Sequence, residues 1–430
     1  MPNAFSREER VAFDRQLEGF NDALAFVKNI TTYRTDQTTM ARTNDVIWRP
    51  MPYILPSYSG IDQTANFNDK TQLSVPATIG FRQAVPFQMD ANELRDALQE
   101  GRLGESARVE LASFINRSAL SLAALQGSLT VKRSGAAAGF DDVALCDAIM
   151  NETGVPGGVL DGRGLRCLAL STRDYNGMAS NLAASTRSFG NDISDSALRR
   201  AFVGNVASFA TYKLDYAVRI LGASGGGSLT INTTASGGNV YVPRAVSVAT
   251  TGEAANVDNR FQTVTISSTT NVRAGDAFTI ANVNAVHHIT KGDTGQSKTF
   301  RVISVPSSTT LVISPPLITG QGGSDAELQY QNCVVTTASA TAAITFQNTQ
   351  TAAANPFWHK DSIEILPGRY AVPSDAGAAV MRASTDQGIE LVMSKQYDIN
   401  TMKNKFRVDT LYGVVNKQPQ MSGIIMFGQT

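Results

Sequence analysis

Phe13, Leu17, Phe20, Leu24 and Val27 recur at helical spacing along the first segment. The pattern predicts one helix with a single apolar stripe. Ser6, followed three positions on by Glu9, matches a capping box and predicts its start. Such a stripe needs a cover, either the body of the chain or a neighbouring chain. A second capping box, Asp90 with Glu93, opens the next helical pattern, which Gly101 and Gly104 punctuate. The run after it, ESARVELASFINRSALSLAALQGSL, is rich in helix formers, lacks proline and stops at Gly127. It predicts a rod of about 22 residues, roughly 33 Å long. Residues 140–153 give another helix, with Asp141 as its N-cap.

Elsewhere the period changes. Pro50, Pro52, Pro56, Pro76 and Pro86 rule out helix from Trp48 to Phe87 and predict a long extended excursion, a two-stranded arm. LRCLALS at 165–171 reads as a strand buried on both faces. QTVTIS, AFTIAN, TFRVIS, TLVISP, CVVTTAS and AAITFQ are short β-branched runs between turn residues, the pattern of a small all-β barrel or sandwich. Alternating strands close the chain around FRVDTLYGVV and MSGIIMF.

Charge sets the β block apart. Residues 222–354 hold 12 charged side chains among 133 residues, against 62 among the other 297. The block opens on the glycine run GASGGGS and closes on TQTAAANP. A composition shift between flexible edges predicts a separate domain inserted into another. The expected fold class is α+β, with an inserted all-β domain.

The 37 basic and 37 acidic residues of the 430-residue chain balance. A protein that wraps nucleic acid shows a basic excess, so this balance argues against that class. It also leaves little like-charge repulsion to oppose self-association. Cys146, Cys167 and Cys333 are sparse, odd in number and unpaired in spacing, which fits a reducing compartment. No signal peptide or membrane helix is expected, and a cytoplasmic origin is.

The search for reactive chemistry finds no candidate. His287 and His288 are adjacent and would point to opposite faces of a strand, so they cannot share a metal in regular geometry. His359, beside Trp358 and Lys360, suits packing. Gly222, Ser224 and Gly226 satisfy G-x-S-x-G, but a nucleophile elbow follows a strand and opens a helix, and this one precedes the β block. Asp141 and Asp142 are explained by a helix start. No catalytic, cofactor-binding or metal-binding residue is expected.

Several segments, in order, resemble the major capsid proteins of tailed bacteriophages. They are LAALQGSL, GLRCLALSTRDYNGMASNL and AFVGNVASFATYKLD. NVDNRFQTVTISSTTNVRAGDAFTIANVNAVHHITK, GQSKTFRVISV, NPFWHKDSIEILPGRYAVP and KFRVDTLYGVVNKQPQMSGIIMFG resemble the coat proteins of short-tailed phages of the Salmonella type. The resemblance implies the tailed-phage capsid fold with an inserted β-barrel domain. On it, 1–47 is an N-terminal arm, 48–87 an extended loop and 88–129 a peripheral domain with a spine helix. An axial domain follows at 130–222 and 355–395, interrupted by the inserted barrel at 223–354. Residues 396–430 are C-terminal strands of the body.

The implied function is self-assembly, as pentamers and hexamers, into an icosahedral shell enclosing double-stranded DNA without sequence-specific binding. The implied partners are further copies of the chain, a scaffolding protein and a portal protein, with room for a decoration protein and no membrane. The implied assembly contacts are Phe13, Leu17, Phe20 and Leu24 of the arm, Lys70 of the extended loop, and Arg244 and Glu253. The last two are the only charges in a protruding loop at 237–256. Some relatives of this fold cross-link a loop lysine to a neighbour's asparagine; Lys70 carries no accompanying motif and reads as an ordinary interface lysine. The alternatives are a cellular nanocompartment shell, an enzyme with a β substrate domain, and a surface adhesin. The inserted domain argues against the first, the missing reactive residues against the second, and the absent signal peptide and cysteine pattern against the third.

Overall fold

The computed structural model describes the chain except residues 1–6, 25, 34–45, 53, 56, 58, 65–66, 68–69, 91–96, 157–165, 185–203, 215–216, 225–228 and 371–377. Two compact units emerge. One comprises Met1–Ile47, Pro76–Leu120 and Ile363–Val415; the other comprises Trp48–Val75, Ser121–Ser362 and Asn416–Thr430.

In the first unit, helix α1 (Arg7–Ala23) buries Phe13 and Phe20, and Leu24 just after it is buried too. The apolar stripe is thus covered by the chain itself. Ser6, its expected cap, lies outside the described residues. Lys395 pairs with Glu9, tying α1 to the strand Glu390–Asp398. Helix α2 (Ala97–Gln126) is 30 residues long, not about 22. Gly101 and Gly104 lie inside it rather than before it. Gly104 is where α1 crosses: a Cβ there would overlap the Gln16 amide, so the missing side chain makes room for its neighbour. Asp90 is the last residue of a strand, and Glu93, with the segment 91–96 that would show the cap, lies outside the described residues.

The sheet of this unit is built on Lys403–Asn416, a strand of 14 residues. It pairs antiparallel with Glu390–Asp398 on one side and with Phe81–Asp90 on the other. Stacked rings lock the second pairing, Phe87 on Phe406 at 5.2 Å and Phe81 on Tyr412 at 5.3 Å. Residues 81–90 therefore belong to the body sheet, and the excursion ahead of them is shorter than 48–87. Ile363–Pro367, Ala379–Ser384 and Glu390–Asp398 join this same sheet. Asn355–His359 belongs to a different sheet, although the axial segment was expected to run unbroken over 355–395.

Among the described residues, the second unit contains two large sheets beside smaller two-stranded ones. The one expected to be axial has six strands, with Arg166–Ser171 near its centre between Asn355–His359 and Phe209–Leu214. Its expected two-face burial is met, since residues 166–170 are all buried. Helices α3 (Phe140–Glu152) and α4 (Thr172–Ala184) supply Val143, Cys146, Met150, Tyr175 and Met178 to one core with Leu168, Phe209 and Phe357. Gly139, not Asp141, is the N-cap of α3. Asp142 in the first turn accepts the Ala138 amide at 2.7 Å and pairs with Arg133. Arg166 is fully buried and fully engaged. Its guanidinium donates to Asp147 (2.6 Å), Asn151 (2.8 Å) and the carbonyls of Val155 (2.6 Å) and Pro156 (3.2 Å).

The inserted block forms the other sheet. All six β-branched runs become strands of one seven-stranded antiparallel sheet. It closes on itself where Ile231 bridges Ile266 and the Ser267 amide donates to Thr230. A closed sheet has no free edge there, which suits a domain whose surface carries few charges. Phe278, Phe300, Val302, Leu311 and Ile313 fill its core. The short helix α5 (Asp325–Tyr330) starts on a complete capping box of Ser324 and Glu327.

Candidate functional site

The surface that stands out is a hairpin on the inserted barrel. Val246–Val248 pairs antiparallel with Ala254–Asn256, and all six residues are exposed. Gly252 turns the chain at φ +84°, with its amide donating to Ala249. A buried side chain fixes the base. Asn259 Nδ2 donates to the Arg244 carbonyl at 2.9 Å, and its Oδ1 accepts the Arg244 amide at 3.1 Å and the Tyr241 hydroxyl at 2.9 Å. The hairpin is thus stiff at its foot and bare along its length. Arg244 and Glu253 are both exposed, and among the described residues neither joins an ion pair within the chain. Val248 presents 68% of its surface to solvent. Beside the foot lies a cleft of about 410 Å³ lined by Tyr241, Arg244, Ser247, Phe261 and Gln262.

The second bare surface is the excursion after Trp48. Its ends are held: the Met51 amide donates to Leu73, and Thr71 exchanges hydrogen bonds with the Gln329 side chain. Tyr330 Oη also donates to the Thr71 carbonyl at 2.9 Å, and Leu73 packs on Ile318 and Tyr330. Between those ends Leu55, Ile61 and Phe67 are exposed, Ile61 completely, and Lys70 is exposed beside them. Thr64 donates through both amide and hydroxyl to Asp62, holding that carboxyl below the usual range. A tethered loop with bare apolar side chains has burial still to gain from another molecule.

The arm residues differ. Phe13, Phe20 and Leu24 are buried and Leu17 is half-buried, whereas Val11 is the exposed apolar residue of α1. As contacts to a neighbour they would require the arm to leave its seat.

Nothing gathers into reactive chemistry among the described residues, where no group of three or more His, Cys, Asp or Glu could hold a metal. His287 is spent on a turn, its Nδ1 accepting the amides of Ile289 and Thr290. His359 is buried, its Nδ1 accepting the Asp361 amide. Burial raises all three thiols, Cys167 to about 11 and Cys333 to about 12, which keeps them protonated and inert. Asn259, Gln329 and Tyr330 escaped sequence reasoning, because polar side chains in a turn-rich block look like solvated ones. Two buried arginines, Arg166 and Arg301, also escaped it. Their signal was an arginine inside a short apolar run, RCLALS and TFRVIS.

A family model described as P22 coat protein, gene protein 5, matches residues 1–428. Among solved structures the chain is similar to a protein of Mycobacterium phage Che8, at 9% identity and a TM-score of 0.42 over 92% of this chain and 88% of that one. It is also similar to the capsid of the cyanophage P-SCSP1u, at 10% identity and a TM-score of 0.40 over 93% and 85%. The CUS-3 coat protein I-domain matches at 39% identity and a TM-score of 0.21, over 28% of this chain and 96% of that one.

Proposed function

The chain belongs to the P22 coat protein family, and on that premise we propose that its bare hairpin and tethered loop are the contacts by which subunits grip one another. It is a major capsid protein that assembles with itself into an icosahedral virion shell around phage DNA, and it is not an enzyme. The finer reading is ours. Copies gather as pentamers and hexamers, with residues 130–222 at their centres and the barrel at 223–354 on the outside. The loop carrying Lys70 reaches over a neighbour within the capsomer. The hairpin reaches between capsomers, where Arg244 of one copy faces Glu253 of another. The DNA inside is double-stranded, and a scaffolding protein and a portal guide closure. Synthesis takes place in the bacterial cytoplasm, and the outer barrel face is where a decoration protein would sit.

One observation carries the hairpin assignment: two opposite charges stand on an exposed, foot-anchored hairpin and find no ion-pair partner among the described residues of their own chain. A single exposed pair is worth about 0–1 kcal/mol. Around a two-fold contact the pair occurs twice, and a shell repeats it many times. Charge exchange tests this. Arg244→Glu and Glu253→Arg each leave the free subunit's urea stability within about 0.5 kcal/mol and lower the yield of closed shells. Combining them restores it. Unchanged yield in both single variants would make Arg244 and Glu253 merely solvated loop charges.

A further inference from the structure

Helix α2 reaches its C-terminal end without a basic residue in its last turn. The last carbonyls of a helix lack intrahelical donors and carry the negative end of its dipole. One is met locally, by the Gly127 amide on Ala123 at 3.0 Å. That position tolerates only glycine, because a Cβ would press on the Ala123 carbonyl and the Gly423 backbone.

The next carbonyl is met from 177 residues away, where Arg301 Nη2 of the barrel donates to Ala124 at 2.9 Å. Two residues earlier on the same strand, Thr299 Oγ1 donates to the Ser128 carbonyl at 2.7 Å. The strand Asp293–Ser304 thus works on both faces. Phe300 and Val302 enter the barrel core, and Thr299 and Arg301 alternate with them onto the helix end.

Arg301 is held there at a cost. It is fully buried, and its Nε and Nη1 find no partner among the described residues. The nearest influence is Asp276, whose carboxylate is already taken by the Arg273 amide (2.8 Å) and Asn348 Nδ2 (2.9 Å). Burial pulls the Arg301 guanidinium down to about 10, against the pull of Asp276. Its cross-strand neighbours are Ala277 and the buried Ser314, and Ala277 and Ala124 share an apolar cluster with Ile424 and Met426. A methionine would fill such a seam without the desolvation penalty. It would not offer a cation and a donor to the end of a helix that brings none of its own.

We propose that Arg301 is the positioning residue through which the inserted barrel caps the C-terminal end of α2, so that the helix's last turn is ordered by a folded barrel. The proposal rests on the reading of 223–354 as an inserted domain that supports the body. Deleting 223–354 tests that reading, and Arg301 variants of the full chain test this one.

Hydrogen exchange read by mass spectrometry on the full-length subunit gives the answer. In Arg301→Met, amides 124–131 are expected to exchange about tenfold faster while barrel amides 278–283 and 310–314 keep their rates. Adding Leu125→Lys in that background returns a cation to the last turn and recovers about threefold. A residue that served only barrel packing would loosen the barrel strands too and gain nothing from the lysine. Unchanged exchange at 124–131, or barrel strands loosening as much as the helix end, overturns the proposal. Should Arg301→Met yield no soluble chain, Arg301→Lys decides. It is expected to keep 124–131 within about threefold of the native chain, and a tenfold loss there overturns the proposal.

Discussion

Arg166 and Arg301 are both fully buried arginines in short apolar strands, and they are treated in opposite ways. Arg166 lies in the axial sheet with a carboxylate, an amide oxygen and two carbonyls around it, all from residues 147–156. Arg301 lies on the barrel with one carbonyl and, among the described residues, two nitrogens without a partner. The first is a staple inside one layer, stitching a strand to the helix and loop before it. The second spans a seam between segments that the sequence keeps far apart. A buried charge is costly in either place. What differs is whether the local chain was built to meet it.

The comparison breaks most visibly at Arg166. Arg166→Met leaves Asp147 without its cation, although Ser208 still donates to it. Removing one partner of a buried pair typically costs about 3–5 kcal/mol. Asp147 is partly exposed, which places the expected loss at the lower end of that range. Urea unfolding of the full-length subunit measures it. A loss below about 1 kcal/mol would mean that water replaces the arginine and that no staple exists.

A smaller effect sharpens the barrel side. Lys298 is buried there, its Nζ donating to Gln420 at 3.3 Å. Burial lowers it from 10.5 to about 8. Folded, it releases its proton more readily than unfolded, so its penalty is complete below about pH 8 and relieved as pH rises to about 10.5. Lys291, Cys333 and His288 share its surroundings and titrate or stay neutral beside it. Lys298→Met is therefore expected to stabilise the chain at pH 7 by about 1–3 kcal/mol, with the gain fading toward pH 10.5. A gain independent of pH would show that the lysine binds its proton equally well folded and unfolded, so that the gain comes from packing and not from relieving a buried charge.

These side chains mark where sequence reasoning stops. The barrel strands were legible because period-two alternation and turn residues are local signals. So was the stripe of α1, though not its cover. The start of α2 was misread because a glycine that makes room for a crossing helix looks like a glycine that ends one, as Gly104 does. The pairing of Phe81–Asp90 with Lys403–Asn416 joins segments some 300 positions apart, and nothing local announces it. Arg166 and Arg301 read alike as sequence, since alternation says which face a side chain takes and not what waits there. Of the hairpin proposed as an assembly contact, the charges Arg244 and Glu253 could be picked out in the sequence; the foot built on Asn259 could not.

The smallest expected effect is a labelling rate. Cys146 and Cys167 belong to the axial layer and Cys333 to the barrel, all buried. A thiol reagent should reach none of them in the native subunit. In rising urea, Cys146 and Cys167 should become reactive together and Cys333 at its own concentration. Coincidence of all three would make barrel and axial layer one cooperative unit.

Cryo-electron microscopy of shells assembled from the full-length chain tests the central claim most directly. The account predicts closed shells in which hairpins 246–256 of adjoining capsomers meet, with Arg244 of one copy against Glu253 of the other. Shells whose hairpins end in solvent, or a chain that stays monomeric with its scaffold present, would contradict it.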